Sequence, residues 1–562
     1  MKFNPDDVIG FEPMNLVYSQ SKYKNSDIIF VKENVHLKDG SKQTNTRIIK
    51  NYERPFWITN KGARDHVDKL QWEKQENLRE YQSTQWELAS RIHRALQLPG
   101  FDRGLKQELS SPYVYGANIS PTALLRKQYR TKFPNAKSPK ADVAILDTET
   151  NVVDGSQEVI LISLTMKEKV FLGIRRNFLR SSKQMDEIER KRVLEKLNYY
   201  LSEHIEKRNI KFEIFFGDTS GELCHECLQA AHKWRPDFVA IWNMDFDIPK
   251  MEMALRKDGF DPADSFCDPT VPREYRKFKY HPGPTMKVTH SGSKRPLSAA
   301  EKWPTTECVA SFFIIDAMCL YGRLRTASGK EPSYALDAIL KKNIKMGKLK
   351  FTATDHLDKL QWHIVMQRDY PYEYIAYNVF DCIGVELLDE KTGDISSAFI
   401  PQCEDSDWQD FNSGPTQIAD GMHFHCLENG YVAGTVGGDL RTELDNFVVG
   451  PKGWIVTLGA YLAQDIGINL IKDLPHKQTM ATIHNADLDI EGTYPSIQEK
   501  TNACRGSAIR EIASIEGLSE YEKRLIGVNL SAGVVNSCAI SEKAFKLGAK
   551  DKLLDAFMKE NF

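Results

Sequence analysis

Residues 141–150 read ADVAILDTET, a short apolar run that ends in Asp147 and Glu149. Residues two apart on a strand project to one face, so these two acids can share a ligand. The run opens a sheet. VILISLTM at 159–166 and KVFLGI at 169–174 read as two further strands, and FVAIWN at 238–243 as another buried strand whose end carries Asp245 and Asp247. Between them Glu222–Lys233 has a helical pattern, stopped by Arg235-Pro236. CVASFFIIDAMCLY at 308–321 reads as a central strand entering a helix, and Pro371–Lys391 as a helix with Tyr377 and Asp381 four residues apart on one face. Strands interleaved with helices predict an α/β architecture.

Four acids thus come from separate predicted settings: Asp147 and Glu149 in DTE, Asp247 in WNMDFDIP, and Asp381 in YNVFD. Phosphodiester hydrolysis develops charge on the attacking and leaving oxygens, and two divalent ions about 4 Å apart stabilise both when carboxylates converge on them. An all-oxygen ligand set suits Mg2+ or Mn2+. The phenol of Tyr377, one turn before Asp381, can hydrogen-bond the attacking water. Each signal also has an ordinary reading. D-x-E triplets end many strands, an Asp at the position of Asp247 can cap a helix, and Tyr377 can be a packed ring. Their order along the chain is what points to a nuclease.

With 562 residues the chain has room for about three or four domains. Hydrophobic residues at 41% and charged residues at 27% place it in the soluble globular class. No apolar run is long enough to span a bilayer, and MKFNPDDVIG lacks a signal-peptide core, so secretion is not expected. Ten cysteines without paired spacing fit reduced thiols. Cys224 and Cys227 in CHEC have zinc-ligand spacing, but no second pair lies nearby and the segment reads as helix. A net charge of −2 does not exclude nucleic acid, because bound metal offsets clustered carboxylates while basic surface stays local. Two basic runs stand out: Arg273, Arg276, Lys277, Lys279, Lys287, Lys294 and Arg295, and Lys341, Lys342, Lys345, Lys348 and Lys350. Solvated charged faces are the alternative for both. Thr285–Thr289 alternates like one arm of a hairpin, Trp86–Leu98 like an amphipathic helix, and breakers at 391–415 suggest a boundary.

The order DTE, N-x-x-F-D at Asn243–Asp247, Y-x-x-x-D at Tyr377–Asp381, then Asp489 followed by Tyr494-Pro495-Ser496, resembles family B DNA polymerases, particularly the replicative enzymes of tailed bacteriophages. The stretch PSYALDAILKKNIKMGKLKF at 332–351 is similar to that family as well. The resemblance implies an α/β and α+β multidomain protein: an N-terminal mixed domain (1–140), a ribonuclease H-like 3′→5′ exonuclease domain (141–395), and a partial polymerase palm with a helical C-terminal segment (396–562). It makes Asp147, Glu149, Asp247 and Asp381 ligands of two Mg2+ or Mn2+ ions and Tyr377 the orienter of the water. It puts Lys279–Arg295 where such enzymes carry a hairpin that helps move a primer strand to the nuclease site. Asp489 becomes a metal ligand and catalytic acid of the polymerase site, and Tyr494 stacks under the sugar of the incoming dNTP, although Gly492 and Thr493 replace the family's Ser-Leu.

After Asp489 there is no D-T-D and no triphosphate-binding K-x-x-x-N-S-x-Y-G element. One polymerase carboxylate does not clamp two metals. The expectation is therefore a proofreading exonuclease joined to the first half of a polymerase site, completed by a second chain with fingers, remaining palm and thumb. Implied partners are primer-template and single-stranded DNA, dNTP, that second chain and a sliding clamp, with no membrane, in the cytoplasm of an infected bacterial host. A piece of a longer polymerase, a stand-alone exonuclease and an inert DNA-binding replication factor with a relic palm are the alternatives.

Overall fold

Consecutive strands that are apolar on both sides demand a sheet covered on both faces, and residues 143–316 form one. The computed structural model describes residues 4–434 except 68, 71, 101–103, 289–293, 327, 328, 355 and 404. The chain divides into two compact units, Met1–Thr435 and Val436–Phe562. The described residues belong to the first. Asp489, Tyr494 and the rest of the expected palm lie outside them.

The sheet has six strands in the order Lys211–Gly217, Lys169–Arg175, Val159–Met166, Val143–Thr150, Phe238–Ile241 and Phe313–Asp316. Val159–Met166 runs antiparallel to both neighbours, and the other five are parallel to one another. Side chains alternate between the faces. Ala144, Leu146, Ile162, Leu164, Val239 and Ile241 pack with Leu223, Leu228, Met244 and Ile248 of the helices Ser220–Trp234 and Met244–Lys257. In the opposite phase, Ile145, Phe238 and Ala240 meet Cys382, Val385 and Leu388 of the helix Pro371–Thr392. The same helix and Asp186–Arg208 cover Leu161 and Leu172. Asp147 and Glu149 share the phase of Ile145, so alternation aims them at the helix Pro371–Thr392.

Two local readings differ from the sequence expectation. The strand in CVASFFIIDAMCLY is the sheet's edge, not its centre. Its apolar character is met by aromatic packing, with the Phe313 ring 5.7 Å from that of Trp408 and 6.3 Å from that of Phe399. In FVAIWN the strand stops at Ile241, and the helix Met244–Lys257 starts where the Met244 N–H donates to Asp316 Oδ2 at 2.9 Å. Asp245 and Asp247 therefore sit in the first turn of a helix rather than on a strand end.

Other elements follow their local signals. Ser220–Trp234 is opened by a Thr219–Glu222 capping box and closed by Arg235 in the left-handed region, φ 53°. Met286–Val288 pairs antiparallel with Lys294–Pro296, and a helix covers Leu88–Leu96. N-terminal to the six-stranded sheet, Val8–Gln20, Asp27–Leu37 and Lys42–Lys50 form an antiparallel sheet, and Leu78–Ser83, Arg54–Thr59 and Val114–Tyr115 a second. Past the helix Pro371–Thr392 the chain returns to this region: Asp405 pairs with Arg130 at 3.1 Å, and Tyr431–Ala433 pairs with Trp72–Lys74. The described chain is thus a mixed α/β structure, and no helix in it is long and apolar enough to cross a membrane.

Candidate metal centre

The helix Pro371–Thr392 carries Tyr374, Tyr377, Asn378 and Asp381, spaced i, i+3, i+4 and i+7, and so on one face. That face lies over the strand of Asp147 and Glu149. Asn378 Nδ2 donates to Asp147 Oδ2 at 2.7 Å, while Asn378 Oδ1 accepts from the buried Ser163 hydroxyl. The Tyr374 hydroxyl donates to Glu149 Oε2 and lies 2.8 Å from His363 Nδ1 and 3.2 Å from Gln367 Nε2. One carboxylate oxygen from each of Asp147, Glu149 and Asp381 lies within 4.8 Å of the other two.

Asp247 stands beside this trio. Its Oδ1 accepts from the backbone N–H and the hydroxyl of Thr148, at 3.1 and 2.6 Å, in the residue between Asp147 and Glu149. Lys348 enters from the loop before the helix Lys359–Asp369. Its Nζ is ion-paired with Asp381 Oδ2, donates to the Tyr377 hydroxyl at 2.8 Å, and lies 4.8 Å from the centre of the Tyr377 ring.

Four carboxyls around one ammonium in a buried setting repel one another, and their protonation reflects it. Burial, then the charges of Asp247, Asp381 and Glu149, push the Asp147 carboxyl well above its usual range. Burial pushes Glu149 to about 8 against the hydrogen bond from Tyr374. Burial likewise pushes Asp247 to about 7 against the two bonds from Thr148. Asp381 is also raised by burial, with Lys348 pulling the other way.

The donor pattern fits a divalent cation. In each of the four acids, one oxygen is fixed by a protein donor: Asn378 on Asp147, Tyr374 on Glu149, Thr148 on Asp247, Lys348 on Asp381. The second oxygen makes no hydrogen bond among the described residues, and Asp381 Oδ1 is fully buried without a partner. Donors that fix one side of a carboxylate orient the other side towards a metal. Three oxygens of a hard ligand type at this spacing could hold a metal ion, and Mg2+ and Mn2+ favour such ligands.

Of the four acids picked from the sequence, Asp147, Glu149 and Asp381 come within 4.8 Å of one another and Asp247 bonds Thr148 beside them; Tyr377 is linked to Asp381 through Lys348, while Asp489 and Tyr494 lie outside the described residues. Three participants were missed. Tyr374 and Asn378 were legible in YEYIAYNVFD, because they share the helix face of Tyr377 and Asp381. Lys348 was read only as part of a basic run. Of the other basic run, Arg276, Lys277 and Arg295 are paired with Asp264, Glu307 and Glu301. Cys224 and Cys227 are buried in the apolar core, where burial raises both thiols. The chain matches no protein-family model, and no curated protein matches it.

Proposed function

We propose that this chain is a metal-dependent 3′→5′ DNA exonuclease with a ribonuclease H-like nuclease domain. The observation that carries the reading is the convergence of Asp147, Glu149 and Asp381 within 4.8 Å, flanked by Asp247, each acid held at one oxygen and open at the other. Strand polarity and the choice of DNA come from the resemblance to family B polymerases. Divalent metal held by Asp147, Glu149, Asp247 and Asp381 would supply Lewis-acid stabilisation of charge on the attacking and leaving oxygens. The chain's own groups do the positioning. Tyr377 accepts a hydrogen bond from Lys348 and hydrogen-bonds Asp381, which holds its hydroxyl beside the carboxylates where an attacking water would bind. Lys348 keeps a positive charge beside Asp381, and burial raises the Tyr377 phenol so that it stays neutral.

Purified chain with Mg2+ or Mn2+ should shorten a 5′-labelled single strand from its 3′ end, and Asp147→Ala with Glu149→Ala should stop it. A strand that stays intact while the protein binds it would overturn the assignment. The family resemblance extends the proposal to proofreading beside DNA synthesis, with Asp489 and Tyr494 in a polymerase site shared with a second chain. Mixing this chain with that partner should give template-directed synthesis, which Asp489→Ala abolishes while exonuclease activity survives.

A further inference from the structure

The helices Lys359–Asp369 and Pro371–Thr392 meet at Tyr370, so that His363 and Gln367, four apart on one face of the first, stand against Tyr374 near the start of the second. Gln367 reaches further. Its Nε2 donates to the Thr150 carbonyl at 2.9 Å and its Oε1 accepts the Val152 N–H at 3.0 Å, which ties the helix to the chain just beyond Glu149. Tyr374 is fully buried. Its ring lies 5.9 Å from that of Tyr377, 6.0 Å from that of Trp362 and 6.4 Å from that of Phe178, and this packing holds the hydroxyl in place.

The Tyr374 oxygen has three polar neighbours and one proton, and a phenol donates once and accepts twice. A carboxylate that holds a divalent cation is ionised and only accepts, so the proton goes to Glu149 Oε2. The other two contacts must then be donated to the phenol. The amide orientation of Gln367 that satisfies Thr150 and Val152 already presents an N–H to it at 3.2 Å. His363 Nδ1, 2.8 Å away, must carry a proton as well. Burial, then the charge of Lys348, push this imidazole down to about 4, so the neutral ring has a single proton to place and places it on Nδ1.

We propose that His363 and Gln367 are positioning residues of the metal centre: they commit the Tyr374 proton to one oxygen of Glu149 and thereby aim the other oxygen at the cation. The inference rests on the metal-dependent nuclease reading and lies one residue further out, since both side chains act through Tyr374. Glu149 is the acid that needs such help. Its side chain is longer than those of Asp147, Asp247 and Asp381, so it has more rotamer freedom to lose when metal binds. Donors that hold it in the ligating rotamer remove that cost beforehand.

Calorimetric titration of the DNA-free chain with Mn2+ reads the effect on the metal, and single-turnover cleavage of a 5′-labelled single strand over a Mn2+ series reads it on the reaction. Tyr374→Phe, His363→Phe and Gln367→Met each remove one donor from a side chain of similar bulk. Each should weaken Mn2+ binding by about tenfold, and the rate lost at low Mn2+ should return at saturating Mn2+. His363→Asn, whose amide puts an N–H near the place of Nδ1, should recover most of the affinity. In wild type with Mg2+, nitrogen NMR should show His363 protonated at Nδ1, a signature that needs no variant. Unchanged Mn2+ affinity in the three variants would overturn the positioning role while leaving the nuclease intact, as would a wild-type His363 proton on Nε2. So would a loss that saturating metal does not relieve and that comes with a lower thermal midpoint in chelator, the mark of packing alone. A wild-type chain that binds no Mn2+ and cuts no strand would overturn the metal-centre reading, and this inference with it.

Discussion

Asp237 and Asp381 are both deeply buried acids, each paired with a lysine, and the molecule completes one and leaves the other open. Asp237 Oδ1 is ion-paired with Lys32, each side chain 1% exposed, and Oδ2 accepts the Asp142 N–H at 2.7 Å. Lys32 Nζ also donates to the Arg235 carbonyl at 2.9 Å. Both carboxylate oxygens are satisfied, and the pair fastens the strand Asp27–Leu37 to the start of the interior strand Phe238–Ile241 of the six-stranded sheet. Asp381 gives Oδ2 to Lys348, and its buried Oδ1 has no partner. Leaving a buried acceptor unmade costs about 1–3 kcal/mol, more when charged. An acid that serves only the fold is saturated by protein donors. Asp381, one of the three acids that could hold a metal ion, keeps a buried oxygen back.

The sharpest break of this comparison is chemical. Asp147→Ala with Glu149→Ala should lower single-turnover hydrolysis by about a thousandfold or more, because two of the four proposed metal ligands are gone. The same variant should hold or raise the thermal midpoint in chelator, since it removes repelling acids. Substantial hydrolysis by the double variant would place the chemistry elsewhere. On the structural side, Asp237→Ala strands the Lys32 charge and should destabilise the fold by about 3–5 kcal/mol in denaturant titration. Lys32→Met/Asp237→Leu should recover much of that loss. A small effect of Asp237→Ala would mean that the pair is dispensable.

Tyr377→Phe keeps the ring and loses the hydroxyl, which should cost about 1–3 kcal/mol of transition-state stabilisation with DNA affinity unchanged. An unchanged single-turnover rate would reduce Tyr377 to packing. A further effect is on stability. Burial holds the Glu149 and Asp247 carboxyls at about 8 and about 7 without metal, whereas in an unfolded chain they titrate near pH 4. Between those limits the folded protein keeps protons that the unfolded chain has released, so stability is highest at the acid end and falls as pH rises towards 8. In chelator the thermal midpoint should drop by a few degrees between pH 5 and pH 8, and Mg2+ should flatten the slope. A midpoint that rises over this interval would show that the cluster is not what the folded state protonates.

The sheet strands around Asp147 and the helix of Tyr377 were legible because both rest on backbone periods, two for a strand and 3.6 for a helix, that each segment carries in its own residues. The placement of Asp247 was not legible to the same degree. The apolar run FVAIWN looks like a strand to its end, and only Asp316, 72 positions away, caps Met244 and turns the following acids onto a helix. The edge position of Phe313 escaped for a similar reason. A strand lined by Phe399 and Trp408 has the same composition as one lined by neighbouring strands.

By itself the sequence determined the phase of the acids: Asp147 and Glu149 on one strand face, and Tyr374, Tyr377, Asn378 and Asp381 on one helix face. Phase is set within a few residues by covalent geometry. Only the tertiary structure decided which charges meet, since Lys348 reaches Asp381 across 33 positions and Lys32 reaches Asp237 across 205. A charged group is paired by whatever packing brings within hydrogen-bond reach in a medium of low polarity, and that distance is not written in the spacing of the chain. The same physics turned Asp245 towards Tyr280 and Lys302 while its neighbour Asp247 bonded Thr148, between Asp147 and Glu149, although both belong to one six-residue motif.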